Sequence, residues 1–148
     1  MRLLLLLALL ALPLAAVCAE DKLWSAVVLA TNAAQPKDAP AELREFAPRL
    51  KRVFGYNQME LVGSAAAPLA AGEEGTTLAP TPDFSFKVRA RRTTSKEARG
   101  GYLLNLQLYM DKRLLVDTEA KLAPGSPFFI RGPQSGKGQI IIVLQVQQ

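Results

Sequence analysis

The chain has 148 residues, no histidine and one cysteine, with 18 Lys and Arg against 13 Asp and Glu for a net charge of +5. Those absences exclude Ser-His-Asp and Cys-His nucleophilic sites, zinc sites built on Cys or His, haem ligation by histidine, and an internal disulfide. Catalysis is left with carboxylate pairs, lysine and serine, and no cofactor or metal site is read from the remaining residues.

Residues 1–19 read as a secretory signal peptide. Arg2 supplies the positive start, Leu3–Leu12 the apolar run, and Val17-Cys18-Ala19 the small-residue cleavage site. The apolar run is shorter than the ~20 residues a membrane span needs. A lipidation motif wants a small residue before the cysteine, and Val17 is branched. Cleavage after Ala19 is therefore favoured, with lipid attachment at Cys18 as the alternative. The expected product is exported, periplasmic or secreted, with Glu20–Gln148 forming one domain of net charge +4 once Arg2 is lost. A domain of that size buries roughly two-thirds of its unfolded surface and holds together without staples.

Leu23–Thr31 is short, apolar and bounded by a loop, which predicts a buried strand. A helix is expected from Pro40, with Leu43, Phe46, Leu50, Val53 and Phe54 on one face. Pro48 interrupts it and removes a helical hydrogen bond, so a kink or two short helical pieces are expected, ended by Gly55 as a left-handed cap. Tyr56–Val62 reads as a second strand, giving a β-α-β start. Gly63–Pro82 is rich in Ala, Gly, Pro and Thr. It is a long loop or a weak hairpin turning at Ala71–Gly75, and short edge strands on either side of that turn are the favoured reading.

From Phe84 the period is two. Phe84, Phe86, Val88 and Ala90 alternate with Ser85, Lys87, Arg89 and Arg91, and Tyr102–Met110 and Leu114–Leu122 alternate in the same way. A three-residue turn at Asp111-Lys112-Arg113 pairs Met110 with Leu114, Leu108 with Val116 and Leu106 with Thr118. A two-residue turn in unbroken strands would set Leu106 against Asp117, so the longer turn is expected. Phe128–Arg131 and Gln139–Gln147 complete the strands around a Gly132–Gly138 loop. Ile140–Leu144 is apolar on both faces, so this strand must be central or covered on both sides.

Few residues carry recognisable chemistry. Asp117 and Glu119 share a strand face, roughly 7 Å apart, but no apolar pocket is evident to raise either pKa. Gly132–Gly138 has three residues between its outer Gly and Gly-Lys where a phosphate loop has four, and it leads into a strand; it reads as a hairpin loop. Thr93–Lys96 lacks the companion motifs of a Ser-x-x-Lys site. The positive signal is a basic stripe: Lys87, Arg89 and Arg91 on one strand face, extended by Arg92, Lys96 and Arg99, with Arg44, Arg49, Lys51 and Arg52 on or beside the helix. Such a surface suits anionic lipid, acidic polysaccharide or an acidic partner. Nucleic acid is disfavoured, because the chain is exported and no aromatic residues interleave with the cations.

The ending Pro124–Pro133 followed by Gly138–Leu144 resembles strand-turn-strand endings in exported proteins of Gram-negative envelopes, among them proteins that accompany the secretin family of secretion and pilus channels. Leu50–Tyr56 leading into a strand is similar to small β-α-β modules found beside them. The resemblance implies an accessory envelope module rather than a channel, and it carries over no functional residues. The expected fold is α+β: a mainly antiparallel sheet or sandwich of about six to eight strands with one N-terminal helix. The expected function is non-catalytic binding of another envelope protein, with strand addition at exposed edges near Ala65–Thr77. The alternatives are electrostatic binding of anionic lipid or polysaccharide through Lys87, Arg89, Arg91 and Arg92, and a histidine-free carboxylate enzyme.

Overall fold

The computed structural model describes residues 21–69, 75–92 and 101–148, with Arg92 described by its backbone alone. Residues 1–19, expected as a signal peptide, the tip of the Ala71–Gly75 turn, the Thr93–Lys96 motif, and Lys96 and Arg99 of the basic stripe lie outside the described residues. The strands are β1 (Lys22–Thr31), β2 (Gln58–Pro68), β3 (Thr76–Leu78), β4 (Phe84–Arg92), β5 (Tyr102–Met110), β6 (Arg113–Leu122), β7 (Pro127–Ser135) and β8 (Gly138–Gln147). They form two four-stranded sheets, β2-β1-β8-β7 and β3-β4-β5-β6, in which every neighbour is antiparallel. With one α-helix, α1 (Ala47–Phe54), the fold is α+β and mainly β, as the sequence predicts.

The doubly apolar run of β8 dictates the layering. Every residue from Gly138 to Val146 is buried, between β1 on one side and β7 on the other. Ile140, Ile142, Leu144 and Val146 join Leu23 and Val27 of β1 against Phe86, Val88, Leu104, Leu106 and Leu108 of the second sheet. Ile141 and Val143 face the opposite way, with Ala26, Val28 and Ala30, under Leu43, Phe46 and Leu50. Each of the Val, Leu, Ile and Phe side chains among them gains about 1.5–3 kcal/mol from full burial. The result is three layers: helix, first sheet, second sheet.

The helical region forms as two pieces, a 3-10 turn at Ala41–Leu43 and then α1. Pro48 sits in the first turn of α1, where a missing N–H breaks no helical bond, so no kink arises. Gly55 ends the helix at φ 77° and its N–H donates to the Lys51 carbonyl. Val53 departs from the expected apolar face and is 56% exposed. With α1 only eight residues long, Leu50 and Phe54 cover the sheet and Val53 points past it. Phe54 is held edge-on to Phe129, with the Arg131 guanidinium 5.3 Å above its ring. At the base of this excursion Asn57 Oδ1 accepts from Ala33 N–H at 2.9 Å, and Asn57 Nδ2 donates to the Ala33 carbonyl at 2.9 Å.

Three connections differ from expectation. The β5–β6 turn has two residues, not three: Asp111 and Lys112 have φ of 48° and 64°, and Met110 pairs with Arg113. A bulge at Leu115 then restores Leu108 to Val116 and Leu106 to Thr118, so the apolar face is kept by an extra residue in the strand. The β7–β8 connection is shorter than the expected Gly132–Gly138 loop. Strand pairing continues through a bulge at Gly132–Pro133 to Ser135 and Gly138, with Gly136 at φ 60° in the turn. Finally, β2 runs on to Pro68, and β2 and β3 are edges of different sheets rather than arms of one hairpin. The chain crosses between layers here. Pro80 and Thr81 lie so close to Gly63 of β2 that a Cβ on Gly63 would strike the Pro80 carbonyl oxygen.

Two stability effects follow. Lys112 occupies a left-handed conformation that favours glycine, so Lys112→Gly should raise the urea midpoint by the equivalent of about 1 kcal/mol; an unchanged midpoint would mean the turn carries no strain. Gly63→Ala should lose about 1–3 kcal/mol in the same measurement, because backbone rather than a movable side chain opposes the new methyl.

Candidate functional site

The outer face of the first sheet is covered by the helical layer, whereas among the described residues no element covers the outer face of the second sheet. On it the strand register assembles side chains into rows. Thr77, Lys87, Gln107 and Asp117 form one row across β3, β4, β5 and β6. Arg89, Asn105 and Glu119 form the next, and Arg91, Leu103 and Lys121 the third. The first two rows line a groove of about 450 Å³.

The first row is held by its own contacts. Lys87 Nζ lies 5.5 Å from the Tyr109 ring centroid, a cation–π contact. The Tyr109 hydroxyl donates to Gln107 Oε1 at 3.0 Å, and Gln107 Nε2 donates to Asp117 Oδ2 at 3.1 Å. This chain fixes the Gln107 amide orientation and ties β4 to β6. In the second row Asn105 Oδ1 is buried with no hydrogen-bond partner among the described residues. It is an acceptor left over at the floor of the groove.

Charge is graded across the groove. Cations stand on β4 and carboxylates on β6, two strand spacings away, or roughly 10 Å. That is about one Debye length at moderate salt, so the opposite charges are only partly compensated by one another. The third row differs: Arg91 and Lys121, both exposed, flank Leu103 with no acid between them.

Lys87, Arg89 and Arg91 are exposed on the outer face of β4, as the sequence alternation requires. The structure brings Lys87 and Arg89 into one groove with Asp117 and Glu119, while Arg91 belongs to the basic row. Arg92 ends β4 opposite Tyr102, and its side chain is outside the described residues. Arg44, Arg49, Lys51 and Arg52 are exposed in the helical layer, on the other side of the molecule, so the two basic groups are separate surfaces. Asp117 and Glu119 are both exposed. Nothing in the sequence pointed to Tyr109 beneath Lys87 or to Lys121 facing Arg91. Both follow from the register of β4 with β5, which pairs Lys87 with Gln107 and Arg91 with Leu103, while the bulge at Leu115 leaves Leu103 paired with Lys121 as in the expected register.

Two other concavities are less suited to recognition. One, of about 730 Å³, lies beside Trp24, Glu45 and Gln145. Its central amide is spent: Gln145 Nε2 donates to Glu45 Oε1 at 3.0 Å and to the Gly125 carbonyl at 2.8 Å, and Gln145 Oε1 accepts from Gln147. An apolar mouth of about 610 Å³ opens between the sheets near Leu29, Val62, Met110 and Ile140. Among the described residues no cluster of three metal-ligating side chains occurs, and no helix is long and apolar enough to cross a membrane.

The unpartnered Asn105 oxygen costs about 1–3 kcal/mol if no donor reaches it. Asn105→Leu, similar in shape and without the acceptor, should therefore leave stability unchanged or raise it by about 1 kcal/mol in urea denaturation. A clear loss of stability would show that the amide is satisfied.

Compared with known protein families, curated proteins and solved structures, the chain matches none.

Proposed function

We propose that this protein is an exported, non-catalytic binding module of the bacterial cell envelope that holds another envelope protein against the outer face of its second sheet. The observation that carries the reading is the groove in which Lys87, Gln107 and Asp117 are already linked in a row, beside Arg89, Asn105 and Glu119. Side chains fixed in advance lose little entropy on binding, and a face that offers both signs of charge favours a partner with a matching pattern. The exposure of Asp117 and Glu119 supports a non-catalytic role, since acid–base work by a carboxylate pair is favoured in an enclosed, apolar site. The resemblance of the chain's ending to envelope modules points to the same compartment.

A second reading rests on the basic row. Arg91 and Lys121, which share a row with Leu103 and no acid, would suit anionic lipid or polysaccharide.

The two readings separate experimentally. Affinity capture from native envelope extract should return a stoichiometric protein that is lost, about tenfold or more, with Lys87→Glu combined with Asp117→Lys. Retention of the same partner by that variant would overturn the groove as the binding face. If the second reading holds, Arg91→Glu with Lys121→Glu should abolish retention on anionic vesicles, and moderate salt should weaken retention of the unmodified protein. Indifference to such vesicles at low salt would sink it.

A further inference from the structure

The two sheets leave four edges, and they are not equivalent. β3 is three residues long. β7 contains Pro127 and Pro133 and a bulge before Gln134. β2 is bent by a bulge at Val62, is crossed at Gly63 by Pro80, and ends in Pro68. Short strands, prolines and bulges are the devices that block pairing with another chain. Beyond the bulge at Leu115, β6 is guarded by charge alone: it contains neither Pro nor Gly, pairs regularly from Val116 to Leu122, and carries Asp117, Glu119 and Lys121, which would admit only a segment of complementary charge. Its far side has no neighbouring strand among the described residues.

We propose that the free edge of β6 accepts an extended segment of the partner protein as a fifth strand of the second sheet. The segment it selects carries basic residues two positions apart. This rests on the reading of the protein as a binding module, and it names the edge used and the chemistry of the partner. Backbone groups of an unpaired strand supply the affinity in such an addition, and alternate side chains supply the choice of sequence. On the outer face the nearest neighbours of an added strand are Asp117, Glu119 and Lys121, all exposed, so cross-strand pairing favours Lys or Arg opposite the two carboxylates and an acidic or neutral residue opposite Lys121. On the inner face Ala120 and Leu122 are buried beside the core, which favours small or apolar residues at the intervening positions. Leu114 and Leu115, 46% and 36% exposed, give the added strand an apolar landing at the turn end of β6. Strand addition therefore belongs to this edge, rather than to the Ala65–Thr77 region that the sequence suggested.

The test uses the full chain and two short synthetic peptides, one alternating Lys with Val and Thr, the other with Glu in place of Lys. The lysine peptide should bind about tenfold or more tighter, and hydrogen exchange should slow at the amides of Val116–Leu122. Asp117→Lys with Glu119→Lys should reverse the preference. Successive N–H groups of an edge strand point alternately inward and outward, so one of Thr118→Pro and Glu119→Pro should leave the sheet intact and still block the peptide. Protection confined to β4 or β2, or equal affinity for both peptides, would overturn the proposal. If neither peptide binds while a stoichiometric envelope partner is still captured, the edge proposal fails and the binding-module reading stands. If neither peptide binds and no partner is captured, both fail.

Discussion

Strand β8 has no face that can be given to water. Ile140 through Leu144 alternate between the two sides of the sheet, yet all five are apolar, and leaving either side exposed would create an aggregation-prone surface. The rest of the architecture answers that demand. β1 and β7 flank the strand, the helical layer covers one face through Leu43, Phe46 and Leu50, and the second sheet covers the other through Phe86, Val88 and the leucines of β5. Neither covering layer is explained by its own propensities, since α1 is eight residues long and a helix that short is marginal alone. It persists because β8 gives it something to bury.

The same demand distributes function. Once both faces of the first sheet are consumed by packing, the outer face of the second sheet is the broad surface that no other described element covers. Its strands bury every other residue, so the remaining half is free to be polar at no cost to the core. That separation is why cations, amides and carboxylates can be ordered into rows by register alone. Positions along each strand set the sign of charge, and pairing across strands sets which signs meet.

Much of this was legible in the residues, and the failures are as informative. The period of two in β4 and β5 and the apolar run in β8 fix inward and outward sides unambiguously, because each strand there is unbroken. The β5–β6 turn misled because the argument for three residues assumed that β6 was also unbroken. Leu115 supplies the odd residue inside the strand instead, and no sequence signal marks a bulge when glycine is absent. Val53 sits at helical spacing from Leu50, but spacing cannot tell how far the surface beneath extends. The groove was half visible. Alternation places Lys87 and Arg89 outward on the side of Asp117 and Glu119, whereas the seat of Lys87 over Tyr109 depends on the register of β4 with β5 across the residues that connect them.

The order of strands also sets a schedule for folding. Within the second sheet each strand pairs with the one next along the chain, so it can assemble from local hairpins. The first sheet cannot. β1 must wait for β8, as in the pairing of Ala26 with Val143, and contacts so distant in sequence form slowly. Until they form, the inner face of the second sheet, with Phe86, Leu104 and Leu106, has no layer to cover it. A chain built this way is most exposed to misassembly in the interval between completing its second sheet and recruiting β8, and anything that shields that face during the interval would raise the yield of folded protein without altering its final stability.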